Sequence, residues 1–207
     1  MTVLDLDAFR ATPLAREPYE HLIVPGFVRA AMAEVVVRDF PAIAKPGLFP
    51  LSALESRGAF AQLIEELDSD DFEHAMEQKF GVPISGKPKL FTIRGRCHPK
   101  DGGIHTDSTT KIVTILLYLN PAWEADGGRL RVLRSPTDIN DFAAEVPPLA
   151  GTLLAFRHSE RSYHGHEPFS GERRAIQVNW ITDVATRNRE EARHRWSARL
   201  KSINPFA

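Results

Sequence analysis

The sequence contains little that would mark a secreted, membrane-spanning or nucleic-acid-binding protein. It has one cysteine, Cys97, in 207 residues, which excludes a disulfide framework or a cysteine-rich zinc site within one chain and favours a reducing cytoplasm. No apolar run reaches transmembrane length, and residues 1–20 lack the continuous apolar core of a secretory signal. The formal net charge of −1 gives no electrostatic reason to expect a nucleic acid or an anionic membrane as partner.

The pattern of hydrophobic residues divides the chain into three parts. Its length fits one domain, and 43% hydrophobic with 26% charged residues is typical of a globular protein. We predict a mainly helical support at 1–88, a strand-rich core at 89–183 and a C-terminal helix at 184–207. Helices followed by a run of strands and a closing helix indicate an α+β fold.

Serines mark two helix starts in the first part. The segment 52–55, Ser-Ala-Leu-Glu, has the spacing of a capping box, and apolar residues follow it at helical intervals. Ser69 begins a second predicted helix with acidic residues in its first turn, and Gly81 is its natural end. In the second part, strand-forming runs separated by glycine-containing turns lie at 90–93, 111–119, 129–133, 152–156 and 174–181.

Two segments supply candidate metal ligands. His105 and Asp107 point to the same side of an extended chain, because residues two apart share a face; a turn in which Asp107 caps the following amides is the alternative. His164 and His166 follow the predicted strand 152–156. Two histidines and one carboxylate on one face of a metal leave its other face open, which is the arrangement of non-haem Fe(II) oxygenases. A structural zinc site would instead close its coordination.

A third feature is a cation in the last predicted strand. Arg174 shares a face of the run 174–181 with apolar residues, whereas Arg173 lies on the other face. A buried guanidinium needs an anion, and its fork suits a carboxylate. Two such anions remain open: a protein acid, Glu172 or Asp183, and the far carboxylate of a dicarboxylate that chelates the metal.

Taken together, these segments resemble the 2-oxoglutarate- and Fe(II)-dependent dioxygenases, in particular the branch that includes prolyl hydroxylases. The resemblance covers most of residues 90–181 in the order of the family. The matching segments are I-H-T-D at 104–107, K-I-V-T-I-L-L-Y-L-N at 111–120, G-G-R-L at 127–130, P-L-A-G-T-L-L-A-F at 148–156, and S-Y-H-G-H-E-P-F with R-R-A-I-Q-V-N-W within 162–180.

The resemblance implies a fold and a reaction. The fold is a double-stranded β-helix, a jelly-roll type of barrel, with helices packed on one side. The cofactor is Fe(II), the cosubstrates are 2-oxoglutarate and O2, ascorbate is a possible reductant, and the products include succinate and CO2. The expected substrate is an amino-acid residue, a free amino acid or another metabolite. Because halogenating relatives lack the carboxylate ligand, Asp107 favours hydroxylation.

The resemblance also assigns the metal ligands. His105 and Asp107 correspond to the His-x-Asp ligands of the family, and His164 corresponds to the distal histidine. His166 lies two residues later on the same face, so it remains a rival for the distal position. A cupin-like module that binds a metal or a small molecule without redox chemistry is the alternative function.

Further residues are assigned around the metal. The resemblance places Arg174 on the far carboxylate of 2-oxoglutarate, and it places Tyr118 on a hydrogen bond to the same carboxylate; a core aromatic is the other interpretation of Tyr118. Weaker candidates for the pocket are His98, Arg129 and Arg131, for which surface positions are the ordinary interpretation. The basic C-terminal helix is expected to be a charged surface helix docked on the rest of the protein, with Trp196 and Leu200 available for packing; nucleic-acid binding is the weaker alternative.

Overall fold

The computed structural model describes the backbone of residues 1–203 and the side chains of residues 1–197. The end of the predicted C-terminal helix, residues 204–207, and the side chain of Leu200 lie outside these described residues. Within them no helix is long and apolar enough to cross a membrane. The helices are α1 (Leu6–Ala11), α2 (Ala30–Arg38), α3 (Gly58–Asp68), α4 (Asp70–Phe80) and α5 (Val184–Ile203).

In the part of the chain that the structure describes, nine strands form two sheets, and all the pairs within these sheets are antiparallel. The strands are β1 (His21–Val24), β2 (Phe49–Pro50), β3 (Lys89–Cys97), β4 (Lys111–Tyr118), β5 (Leu130–Leu133), β6 (Phe142–Val146), β7 (Leu153–Arg157), β8 (His164–Gly165) and β9 (Gly171–Ile181). The larger sheet has the order β1-β7-β4-β9-β3-β2, and the smaller sheet has the order β6-β5-β8. Helices on antiparallel sheets confirm the predicted α+β fold.

The two faces of β9 lie in different environments, one in the apolar core and one along a cavity. Ile176, Val178 and Trp180 are fully buried and belong to the apolar core that the larger sheet shares with the helices. The opposite face carries Arg173 and Gln177, which line a cavity on the other side of the sheet. The polar face of this strand therefore lines an internal cavity, and the apolar face packs on the helical layer.

The second predicted helix start is confirmed. The side-chain oxygen of Ser69 accepts a hydrogen bond from the backbone N–H of Phe72, which satisfies one of the free donors at the start of α4. Gly81 ends the helix in the left-handed conformation with φ of 62°, a conformation that glycine adopts without a steric penalty.

The capping box at 52–55 is wrong as a helix start. Residues Leu51–Ala53 form a short 3₁₀ turn, and α3 begins only at Gly58. The cap comes from a distant residue, because Oδ2 of Asp39 accepts a hydrogen bond from the backbone N–H of Ala59 at 2.9 Å. A partner twenty positions away along the chain leaves no trace in a local spacing pattern.

Candidate metal centre

The structure brings three of the predicted ligands together. His105, Asp107 and His164 each offer a ligand atom, and these atoms all lie within 4.8 Å of one another. The backbones of the two histidines pair directly: the N–H of His105 donates to the carbonyl of His164 at 3.1 Å, and the reverse bond is 2.9 Å. His164 is also paired with Val132 of β5. Strand pairing therefore fixes the loop before β4 against β8 and sets the two imidazoles side by side.

Backbone carbonyls orient both imidazole rings. Nδ1 of His105 lies 2.8 Å from the carbonyl oxygen of Gly103, and Nδ1 of His164 lies 2.9 Å from that of Ser162. A carbonyl oxygen only accepts, so Nδ1 carries the proton in both rings. The lone pair of each neutral ring is then on Nε2, which is the atom left for a metal.

The charge states of these groups also suit a metal. Burial lowers the pKa of His164, Asp107 opposes this shift, and His105 adds to it, so that the pKa lies at about 4. The imidazole is therefore neutral near pH 7. Burial raises the pKa of Asp107, but Lys111 and His164 outweigh burial and hold that pKa below its usual value. The site thus offers a neutral imidazole at His164 and an ionised carboxylate at Asp107.

Two residues that sequence reasoning missed hold the carboxylate of Asp107. Lys111 Nζ lies 2.6 Å from Oδ1, and Thr114 Oγ1 donates a hydrogen bond to Oδ2 at 2.6 Å. Both residues belong to β4. Asp107 and Lys111 are four residues apart and lie on either side of a turn. Their spacing predicts the ion pair only when the position of that turn is known.

The three ligands open onto a cavity of about 180 Å³. His166 also lines this cavity, as do three cationic side chains: Arg94, Lys111 and Arg173. Arg94 pairs with Asp101, in the loop that leads to His105. The cavity therefore combines the metal-binding group with an excess of positive charge.

Arg173 is the arginine of β9 that reaches this cavity. It is 4% exposed. Its Nε donates to the carbonyl of Gly128 at 2.7 Å, and Nη2 donates to the hydroxyl of Tyr118 at 3.3 Å. Its guanidinium carbon also lies 5.1 Å from the centroid of the Tyr118 ring. Tyr118 is fully buried, and burial raises the pKa of its hydroxyl, so that it remains protonated.

Arg174, which was predicted to receive the far carboxylate, does not line this cavity. Arg174 Nε lies 2.6 Å from a carboxylate oxygen of Glu172, Nη1 donates to the carbonyl of Val37, and the guanidinium carbon is 5.5 Å from the centroid of Phe40. Arg174 does share the apolar face of β9, but that face meets the helical side of the sheet. The protein acid Glu172, one of the two anions left open, is its partner.

The rival histidine takes a separate position. His166 is 6% exposed, and its Nδ1 lies 2.8 Å from the carbonyl of Glu167. Its backbone N–H donates to the carbonyl of Gly102 at 2.8 Å. Among the described residues His166 is not part of the three-residue group, so the geometry favours His164 as the distal ligand.

The weaker candidates lie away from the cavity. His98 is exposed, and its Nδ1 accepts a hydrogen bond from the backbone of Lys100. Arg129 and Arg131 both pair with Glu145, at 3.6 and 2.7 Å respectively. These side chains do not line the cavity, although Arg129 and Arg131 are only partly exposed. The helix α5 lies against β2, β3 and β9, as expected of a docked surface helix, but Trp196 is 69% exposed and does not pack there.

Comparison with known proteins identifies the fold and matches part of the chain to a family. Residues 95–182 match the family model of the 2OG-Fe(II) oxygenase superfamily. No curated protein matches the chain in sequence. A prolyl-4-hydroxylase from Pseudomonas putida has a similar structure, with a TM-score of 0.53 and 19% identity over 85% of this chain and 96% of that chain.

Two further solved structures agree with this result. A 2OG-Fe(II) oxygenase family oxidoreductase from Burkholderia pseudomallei has a TM-score of 0.54 and 14% identity, covering 86% of this chain and 91% of that chain. A prolyl hydroxylase from Trichoplax adhaerens, in complex with a peptide fragment of the oxygen degradation domain of hypoxia inducible factor, has a TM-score of 0.51 and 16% identity, covering 90% and 89% respectively.

The two sheets thus form the double-stranded β-helix of these oxygenases, as predicted. The match to the 2OG-Fe(II) oxygenase superfamily covers residues 95–182, which lie in the strand-rich part of the chain. This match and the fold together indicate an oxidoreductase of the dioxygenase class, and the matched family implies Fe(II), 2-oxoglutarate and O2.

Proposed function

We propose that His105, Asp107 and His164 hold Fe(II) and that the protein hydroxylates a substrate bound in the adjoining cavity. The observation that carries this proposal is the convergence of the three ligand atoms within 4.8 Å. Two imidazole nitrogens and one carboxylate oxygen are donors that suit Fe(II). Both Nε2 atoms are left without a proton by the carbonyl contacts of Nδ1, so the donor set fits the metal without rearrangement of a tautomer.

We further propose that Arg173 receives the far carboxylate of 2-oxoglutarate, with the hydroxyl of Tyr118 beside it. The partners of Arg173 among the described residues are neutral: the carbonyl of Gly128 and that hydroxyl. A buried guanidinium without an anion is costly, and a carboxylate that reaches it gains a charge-assisted, bidentate contact. Arg173 lines the same cavity as the three proposed ligands, which supports this role over an internal ion pair.

These contacts indicate which part of the reaction the cofactor supplies and which part the protein supplies. When bound, Fe(II) with 2-oxoglutarate and O2 supplies the oxidation, in which 2-oxoglutarate becomes succinate and CO2. The protein fixes the imidazoles through Gly103 and Ser162, keeps Asp107 ionised, and offers a small cavity beside them. Retention of Asp107 as a carboxylate ligand favours hydroxylation over halogenation.

The two neighbouring arginines provide a matched test of the cosubstrate site. Addition of 2-oxoglutarate to the anaerobic Fe(II) protein is expected to give a visible metal-to-ligand charge-transfer band. Arg173→Ala is expected to raise the concentration of 2-oxoglutarate at half-saturation roughly 30-fold or more, since loss of one partner of a buried charge pair costs about 2–5 kcal/mol. Arg174→Ala, on the opposite face, is expected to leave it within a few-fold of wild type. The reverse ranking would contradict the assignment.

The substrate, the reductant and the compartment belong to the same proposal. The solved neighbours include prolyl hydroxylases, one of them with a bound peptide, so we propose a peptide or a small metabolite as the substrate. Ascorbate is proposed as a reductant of the iron, and the single, buried cysteine supports a cytoplasmic site of action. A screen of peptides and amino acids for stimulated succinate release tests the substrate class.

A further inference from the structure

Lys111 makes the closest charged contact in the proposed iron site. Its Nζ lies 2.6 Å from Oδ1 of Asp107, and the two side chains are only 15% and 5% exposed. Among the residues that the structure describes, Asp107 is the acidic partner of Lys111. The ammonium thus supplies the positive charge that the buried carboxylate requires.

The second oxygen of Asp107 is already engaged. Oδ2 accepts a hydrogen bond from Thr114 Oγ1 at 2.6 Å, and Thr114 is itself 1% exposed. Oδ1 is the oxygen that no hydroxyl group holds, and it is the atom that Lys111 contacts. A divalent cation and an ammonium cannot both lie against one carboxylate oxygen without strong mutual repulsion in a site of low dielectric constant.

We propose that Lys111 is an exchangeable counter-cation: it neutralises Asp107 in the metal-free protein and gives up that oxygen when the metal binds. This inference rests on the proposed ligand set. It makes Lys111 a positioning residue that keeps the empty site charge-balanced and lowers the affinity for metal. Because it lines the cavity, the ammonium remains close to the site after the exchange.

The exchange is tested with Mn²⁺ as a redox-silent probe, through binding calorimetry and thermal unfolding of the metal-free and metal-loaded protein. Lys111→Met is expected to bind Mn²⁺ about tenfold more tightly than wild type, since the metal no longer displaces an ammonium. Its metal-free form is expected to melt at a lower temperature, and Mn²⁺ is expected to raise that temperature more than in wild type. Lys87→Met removes one exposed positive charge elsewhere and is expected to match wild type.

A measurement on the unmodified protein complements the variant, in case Lys111→Met does not fold. Mn²⁺ is expected to increase acetylation of Lys111 by a lysine-selective reagent, read by mass spectrometry, while labelling of Lys87 stays constant. Equal or weaker Mn²⁺ binding by Lys111→Met, or labelling of Lys111 that Mn²⁺ leaves unchanged or reduces, overturns the inference alone. If wild type fails to bind Mn²⁺, or binds it as well after His105→Ala, the proposed ligand set fails first.

Discussion

The hydrogen bond from Thr114 to Asp107 gives a sharp prediction about metal affinity. Thr114 Oγ1 donates to Oδ2 at 2.6 Å, and both residues are almost fully buried. Thr114→Val keeps the shape of the side chain and removes this donor. We expect the variant to bind Mn²⁺ roughly 10- to 100-fold more weakly, because partners that orient a ligating carboxylate contribute about that much to metal affinity.

The expected size follows from the charge on the acceptor. A hydrogen bond to an ionised group contributes about 1.5–3 kcal/mol, and no water can replace it in a site where Asp107 is 8% exposed. Without Thr114, Asp107 keeps only the ammonium of Lys111 as a donor, and that contact competes with the metal. The variant is therefore expected to lose metal affinity more than it loses stability.

Thr92 provides the matched control on β3, which is separated from β4 by β9 in the same sheet. It is 1% exposed, and its hydroxyl has no hydrogen-bond partner among the described residues. Thr92→Val is thus expected to leave Mn²⁺ affinity unchanged and to leave stability equal or higher. Titration calorimetry measures the Mn²⁺ affinity of both variants. Wild-type affinity in Thr114→Val, or an equal loss of affinity in Thr92→Val, would contradict the role given to Thr114.

Two further predictions concern the helical support. Burial raises the pKa of Glu73, but hydrogen bonds from Gly86, Lys89 and Trp180 outweigh burial and leave that pKa below its usual value. The ionised Glu73 therefore stabilises the fold above about pH 4.5. This contribution is lost as the pH falls through the pKa of Glu73 in the folded state. Glu73→Gln is expected to lower the free energy of unfolding by roughly 3 kcal/mol at pH 7. Ser69→Ala removes the cap of α4 and is expected to cost about 1 kcal/mol in urea denaturation.

Each of these predictions has a contrary result. A Glu73→Gln variant whose loss of stability is the same at pH 3 and at pH 7 would show that the charge of Glu73 is unimportant. A Ser69→Ala variant that unfolds at the wild-type urea concentration would show that Ser69 does not cap α4 in solution.

Local sequence patterns were enough to locate the start and end of α4 and the first two ligands. Ser69 and Gly81 act through bonds within their own helix ends, and His105 and Asp107 depend on the side shared by residues two apart. They could not separate His164 from His166, which share a face. What separates them is backbone pairing: His164 pairs with His105, whereas His166 pairs with Gly102.

The error at Arg174 has a physical cause. An apolar strand face is ordinarily the one that turns inward, and a cation on it demands an anion. In β9 both faces are covered, and the face with Arg173 lines the cavity, whereas Arg174 pairs with Glu172 on the helical side. The alternation of residues along β9 predicts which side chains share a face of the strand. It does not predict which of the two faces packs against the helices.

The central claim is that His105, Asp107 and His164 hold Fe(II) for 2-oxoglutarate. The most direct measurement is the visible charge-transfer band of the anaerobic protein with Fe(II) and 2-oxoglutarate, compared between His164→Ala and His166→Ala. The account predicts that wild type and His166→Ala show the band and that His164→Ala loses it while remaining folded. A band that survives His164→Ala and disappears in His166→Ala would contradict the assignment of the site.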